Sequence, residues 1–409
     1  MNRIAAAVGL VVATNAMGQE ARVIQIPSHP TYGQLIPKTM SGDGRVVVGW
    51  ADYGSRVVPL LWTVDGEIEV LTGGPSSFRM GSASVCSYDG SIVAGSGTDY
   101  YGHQIAYRWV RGGGVTLLRG LPGQKDLHSA TAISDDGLIV AGDVYLEVQP
   151  ILWSGAYWTA QSGTVSVPGI PGGATSRAIG GMSADGSTMI GTLYGGVPFA
   201  WRSDTGSFIV PLPGAQFSNA SGLTVTSNGD AIFGTAGTHS PGSTQAFTWN
   251  PDTGTSALPG IVEQPRMSIR AATADGRISA GQVHANSSPP YGDSSAVVYT
   301  LGAGTQFLAD ILRGYGLDYE RTDLGNCTDI SGDGRTIMGK DGVHPYWVVI
   351  LPAPEAADYN VDRAVDFLDM ADFVDCYTGN SILPVSSADM DGDGAVDFFD
   401  YDEFVRRFE

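Results

Sequence analysis

The feature that most limits what this chain can become is a ten-residue phrase, Ile133-Ser134-Asp135-Asp136-Gly137-Leu138-Ile139-Val140-Ala141-Gly142, which recurs with small changes seven times. Aligned on the turn glycine, the copies fall at Gly44, Gly90, Gly137, Gly186, Gly229, Gly276 and Gly334, with steps of 46, 47, 49, 43, 47 and 58 residues. A period of this length is read as a repeat architecture before anything else. Within the phrase, a small polar residue followed by Asp-Gly or Asn-Gly supplies the positive φ of a tight strand reversal. The β-branched and small residues after it, such as Val46-Val47-Val48-Gly49 and Ile92-Val93-Ala94-Gly95, make the returning strand.

A third strand follows, expected to close on tryptophan at Trp62, Trp109, Trp153, Trp201, Trp249 and Trp347, with Tyr299 in that place in the sixth copy. A fourth runs toward Leu-Pro-Gly, as at Leu121-Pro122-Gly123 and Leu258-Pro259-Gly260. Four antiparallel strands per period predict an all-β seven-bladed β-propeller, whose closure hides the lateral edges of an open array. A linear solenoid is the alternative, and the phase of the chain ends favours the ring. The seventh copy stops after its third strand at Pro352, whereas residues 22–27 form an orphan fourth strand ahead of the first hairpin. That strand is predicted to complete the last blade.

Residues 1–18 read as a secretory signal peptide, with Arg3 before the apolar run Ile4 to Ala13 and small residues Ala16 and Gly18 before a cut between Gly18 and Gln19. The run is too short to span a bilayer and no other stretch approaches the roughly 20 apolar residues needed, so the mature chain is expected to be secreted or held at the cell surface. The 57 glycines and 22 prolines suit many short strands and turns. Three cysteines, Cys86, Cys327 and Cys376, are too few for a disulfide scaffold, and Cys86 occupies the apolar slot of Ile133 and Ile330, as a buried thiol would.

Charge divides the chain into a propeller, residues 19–352, a Pro-rich linker, 353–357, and a tail, 358–409. Residues 355–409 carry 15 acidic and 3 basic side chains, while 19–353 carry 27 and 18. With no basic patch to meet phosphate, nucleic acid is excluded as a partner.

The tail holds the sharpest chemical pattern. Asp389, Asp391, Asp393, Asp397 and Asp400 occupy positions 1, 3, 5, 9 and 12 of a twelve-residue loop, with Gly394 at the sharp turn and Ala395 offering its carbonyl at position 7. Hard carboxylate oxygens at this spacing suit Ca2+. A first loop repeats the pattern 31 residues earlier through Asp358, Asn360, Asp362, Ala364, Asp366 and Asp369, with Arg363 at position 6. Each loop leads into an amphipathic segment, Phe367 to Tyr377 and Phe398 to Phe408, predicting a small α-helical EF-hand-type domain.

Paired loops with aspartate at position 12, each followed by one helix, resemble a type I dockerin across residues 358–409. The resemblance implies calcium-dependent docking to a cohesin-like protein partner. In such tails a cysteine placed like Cys376 often has a partner just before the second loop; here that region reads Pro384-Val385-Ser386-Ser387-Ala388. Residues 22–352 resemble the HAF repeat of secreted bacterial proteins in the Ser-Xaa-Asp-Gly turn, the glycine five residues on and the aromatic third strand. The naming triplet has its nearest relatives in Gln245-Ala246-Phe247 and Ile105-Ala106-Tyr107.

The turn aspartates Asp43, Asp89, Asp136, Asp185, Asp275 and Asp333 are expected to bond local amides rather than catalyse, and the tryptophans to fill blade cores. Loops between second and third strands share one face of a propeller. They carry Trp50, Tyr53, Tyr100, Tyr101, His103, Tyr145, Tyr194, His239, His284, Tyr291 and His344, a rim able to grip a carbohydrate or peptide ligand, or simply repeat positions beside the third strand. The expected function is a secreted, calcium-binding recognition or scaffold protein. The alternatives are a carbohydrate-active enzyme resembling a glycoside hydrolase, with its active site in the propeller mouth, and a structural cell-surface protein.

Overall fold

A computed structural model describes residues 10–14, 20–146, 152–168, 176–237, 244–261, 266–284, 294–301, 303–340, 346–352, 367–378, 388, 390, 396 and 398–408. The chain forms a seven-bladed β-propeller. Six antiparallel four-stranded sheets span 36–70, 78–117, 129–166, 176–209, 219–257 and 267–307, with strands in chain order from the axis outward. The seventh blade joins Asn326–Ile330, Thr336–Lys340 and Tyr346–Ile350 to Glu20–Gln25, in the register Arg22↔Ile350 to Gln25↔Trp347. The N-terminal strand therefore closes the last blade as expected, beginning two residues earlier than predicted. Leu10–Thr14 lies outside it as a fifth strand.

Packing explains why an uninterrupted apolar run such as Val46-Val47-Val48 is a strand. Successive side chains point to opposite faces, and each blade is covered on both. Val46 and Val48 enter a core with Val93, Tyr107 and Trp109 of the second blade, whereas Val47 enters one with Met338 and Val348 of the seventh. The cores thus lie between blades. The long last step is explained by helix α1, Leu308–Gly314, which buries Leu308, Ile311 and Leu312 between blades six and seven.

All seven turns are built alike. The glycine has positive φ, from 67° to 80°. The preceding Ser or Thr hydroxyl donates to the aspartate two residues on, at 2.6–2.8 Å, and accepts the amide five residues on, while the carboxylate accepts the amide beyond the glycine. Asn228 makes the same bonds in the fifth blade. The turn aspartates are structural, as expected. A second glycine, five residues later, faces a bulge in the innermost strand: a Cβ at Gly142 would fall on the carbonyl oxygen of Ser129.

The turns are also chained to one another. Amides of Tyr88, Asp135, Ala184, Ser227, Ala274 and Gly332 donate to the carbonyls of Asp135, Ala184, Ser227, Ala274, Gly332 and Gly42, and Asp43 donates to Tyr88, closing a circle of bonds 2.7–3.0 Å long. The Tyr88 ring lies over Gly42 and extends toward Gly332, across this circle. Where the last blade meets the first, Asp329 accepts the Thr39 hydroxyl at 2.7 Å and the Met40 amide at 2.8 Å. Burial pushes its carboxyl above the usual range against the pull of those bonds and of Lys38.

Two tryptophans are not where counting placed them. Position for position, Val93 faces Trp109 and Val140 faces Trp158, so Trp158 rather than Trp153 fills the third blade's slot, its indole donating to Arg119 O as Trp109 does to Thr72 O. In the seventh blade Ile337 faces Val349, and Trp347 packs two residues earlier over Gly339. None of the three cysteines is in a disulfide; burial pushes the Cys86 and Cys327 thiols up, the latter to about 12, which keeps those two unreactive.

Candidate functional site

Antiparallel topology sends the hairpin turns to one end of the propeller, and the loops between second and third strands to the other, together with the blade-to-blade connections. The first end is closed by the circle of turns. The second carries the rim expected from the sequence, but its aromatics do not form one cluster. Tyr53 is half exposed and packs edge-on to Tyr32 at 5.2 Å, with His29 against Tyr32 at 4.8 Å. Tyr194 is exposed on blade four. Burial, with Arg270 and Arg266, holds the His284 imidazole below its usual range. His239, Tyr291 and His344 lie outside the described residues.

Blades two and three do converge, on a cleft of about 540 Å³ lined by Asp99, His103, Gln104, Ile105, Arg119, Gln124, Lys125, Asp126, His128, Tyr145 and Trp153. One wall is aromatic: Trp153 meets His128 at 4.6 Å and Tyr145 at 5.3 Å, both edge-to-face. Trp153 stands here because a third-strand residue five places before the core slot reaches the open face. Burial pushes the His128 imidazole below its ordinary range despite Asp143 at 3.7 Å, so at neutral pH it adds no full charge.

The opposite wall is polar and internally paired. Arg119 meets Asp126 at 2.9 Å, and Asp126 also accepts the Gly120 amide. Asp99 accepts the Tyr101 and His103 amides and the His103 ring. Burial works to raise the Asp99 carboxyl, but these bonds outweigh it and hold the group below its usual range. A general acid needs the reverse shift. Gln124 is committed to the Leu121 and Thr164 amides and the Ser162 carbonyl. The rim reading named His103 and Tyr145 but missed Arg119, Lys125, Asp126 and His128, which sit on the connection between blades.

In the tail, helices α2 (Phe367–Tyr377) and α3 (Phe398–Phe408) meet through Phe373 and Phe404, fully buried and stacked at 4.3 Å with ring planes 1° apart. Both stand fifteen residues after the start of their loops, so equivalent positions of the two halves touch each other. Asp400 at position 12 is 1% exposed and accepts the Met390 amide at 2.7 Å, closing the second loop on its own second position. Asp369 lies in α2. Asp358, Asn360, Asp362, Ala364, Asp366, Asp389, Asp391, Asp393, Ala395 and Asp397 lie outside the described residues, and among the described residues no three His, Cys, Asp or Glu side chains gather as a metal site.

The tail joins the core between blades five and six, where Phe373, Cys376, Ala388 and Phe404 belong to one buried cluster with Met267, Leu301 and Phe307. Met390 meets Arg277 of the sixth turn, on the closed end. The last strand also leaves the ring at that end. Cleft and tail therefore occupy opposite faces. Among the described residues no helix is long and apolar enough to cross a membrane.

No family profile matches the chain, and no curated protein matches it in sequence. Solved structures resemble it in fold. An oligogalacturonate lyase in complex with manganese is 12% identical at a TM-score of 0.54, covering 84% of this chain and 96% of its own. An oligogalacturonate lyase from Vibrio parahaemolyticus is 10% identical at 0.55, covering 84% and 97%. TolB from Acinetobacter baumannii is 12% identical at 0.41, covering 76% and 65%. The two lyases share the propeller fold with this chain, and at these identities nothing beyond the fold transfers.

Proposed function

We propose that this chain is an exported recognition protein with two working ends: a propeller face that holds a ligand and a calcium-loaded, dockerin-like tail that docks a protein partner on the opposite side. The observation that carries this reading is the division of faces, with the blade two–three cleft on the open end and the tail packed at the closed end. The stacked, sequence-equivalent Phe373 and Phe404 support a duplicated module. The buried Asp400 carboxylate suits a hard cation, which would also draw on the carboxylates of both loops. Calcium, when bound, would neutralise charge that otherwise repels itself within each loop. Phe398 and Phe399, 67% and 68% exposed, offer an apolar surface for the docked partner. Removal of residues 1–18 would leave Glu20–Gln25 free to close the ring, and the HAF-type repeats fit such an export route.

Calorimetric calcium titration of the full chain tests the tail, with saturable binding of about two ions expected and its absence overturning the docking half. A carbohydrate-active enzyme is the second reading, favoured by the fold shared with two oligogalacturonate lyases. Time-dependent shortening of an oligosaccharide by the purified chain would establish it.

A further inference from the structure

Resting on the reading of the open face as a ligand-binding end, we infer that the cleft between blades two and three takes a neutral oligosaccharide, with a pyranose ring against Trp153 and its hydroxyls bonded along the Arg119–Asp126 edge. Aromatic side chains present an apolar face bounded by a polar edge, which matches a sugar ring carrying C–H groups on its faces and hydroxyls around its rim. Here the aromatic wall of Trp153, Tyr145 and His128 faces a row of donors and acceptors across a cleft of about 540 Å³, room for more than one sugar unit.

Charge decides the class. Two carboxylates, Asp99 and Asp126, stand against two cations, Arg119 and Lys125, and burial holds the His128 imidazole below its ordinary range. The Arg119 guanidinium already meets Asp126 at 2.9 Å, so its charge is answered before any ligand arrives. The propeller itself, residues 19–353, carries 27 acidic against 18 basic side chains, an excess of negative charge that repels polyanions at low salt. A polyuronate would enter without an uncompensated cation to receive its carboxylates, whereas neutral hydroxyls both donate and accept and so suit a lining of paired charges.

The test titrates the full-length, calcium-loaded chain with cellotetraose, mannotetraose, xylotetraose and tetragalacturonate, following tryptophan fluorescence and heat. At least one neutral tetramer is expected to saturate, with affinity insensitive to salt from 20 to 500 mM. Trp153→Ala should weaken it about tenfold or more and Trp153→Phe far less, as for a buried aromatic anchor. Tyr145→Ala gives a second reading should Trp153→Ala unfold. Tetragalacturonate binding with a steep salt dependence, lost in Arg119→Gln, would overturn the neutral class while leaving the open-face reading intact. Neutral binding untouched by Trp153→Ala and Tyr145→Ala would overturn the cleft assignment. Absence of binding by all four would overturn the saccharide itself, and the tail's calcium titration would be unaffected by any of these results.

Discussion

The propeller turns and the tail loops are both rich in aspartate, and on the proposed reading they use the carboxylate in opposite ways. Six of the seven turns hold one such carboxylate, and a hydroxyl and a backbone amide close in sequence occupy it, as at Asp136. The second tail loop places five in twelve residues, a density of negative charge that repels itself. A lone carboxylate in a turn is therefore a structural staple, whereas on the proposed reading the crowd in the tail loop is answered by calcium. Asn228 makes the point from within, because a neutral amide serves the fifth turn equally well.

The contrast breaks most readily at the tail. Asp400→Ala should lower calcium affinity at the second loop by about tenfold or more and free the Met390 amide, since a buried acceptor leaves its donor unsatisfied; calorimetry on the full chain checks it. Equal affinity in the variant would put that loop in the structural class with the turns. Next in size, Gly142→Ala sets a Cβ against the Ser129 carbonyl and should cost about 3 kcal/mol or more in urea unfolding. Asp136→Ala should cost about 1–2 kcal/mol and Asp136→Asn under about 0.5, with calcium binding unchanged in both.

The smallest effect is in pH dependence and has two signs. At Asp89 the Ser91 amide, and at Asp185 the Ser187 amide against opposing burial, help hold the carboxyls below the ordinary value. Their contribution is present above about pH 4 and fades as pH falls through the folded values. Asp329 is raised by burial, so its contribution is present below about pH 4 and fades as pH rises through its folded value. Unfolding midpoints from pH 3 to 8 should therefore show Asp329→Asn gaining on the parent chain toward neutrality. A constant gap would mean that the Asp329 carboxyl titrates alike in the folded and the unfolded chain.

The ring was legible in the sequence because its determinants are local: Ser-Xaa-Asp-Gly, the glycine five residues on, and period-two apolar runs. The two misplaced tryptophans mark the limit of counting, since loop lengths differ between blades and only hydrogen-bond register fixes the slot. The cleft was half legible. His103 and Tyr145 belong to repeat loops, but Arg119, Asp126 and His128 flank the Leu-Pro-Gly of a blade-to-blade connection, and only the juxtaposition of two blades gives them a role. The tail helices were legible as the amphipathic segments Phe367 to Tyr377 and Phe398 to Phe408; their seat beside blade six was not, because no sequence period links Met390 to Arg277.

The clasp between Glu20–Gln25 and Tyr346–Ile350 has a consequence in time. Glu20–Gln25 gains its ring partner only after more than three hundred further residues have been made, so its inner edge must stay unpaired while six blades assemble beside it. Ring closure is then a late, slow, long-range event. On the proposed export reading, a chain threaded outward before that moment would meet no finished propeller to unfold, and would complete its circle only where its last blade arrives.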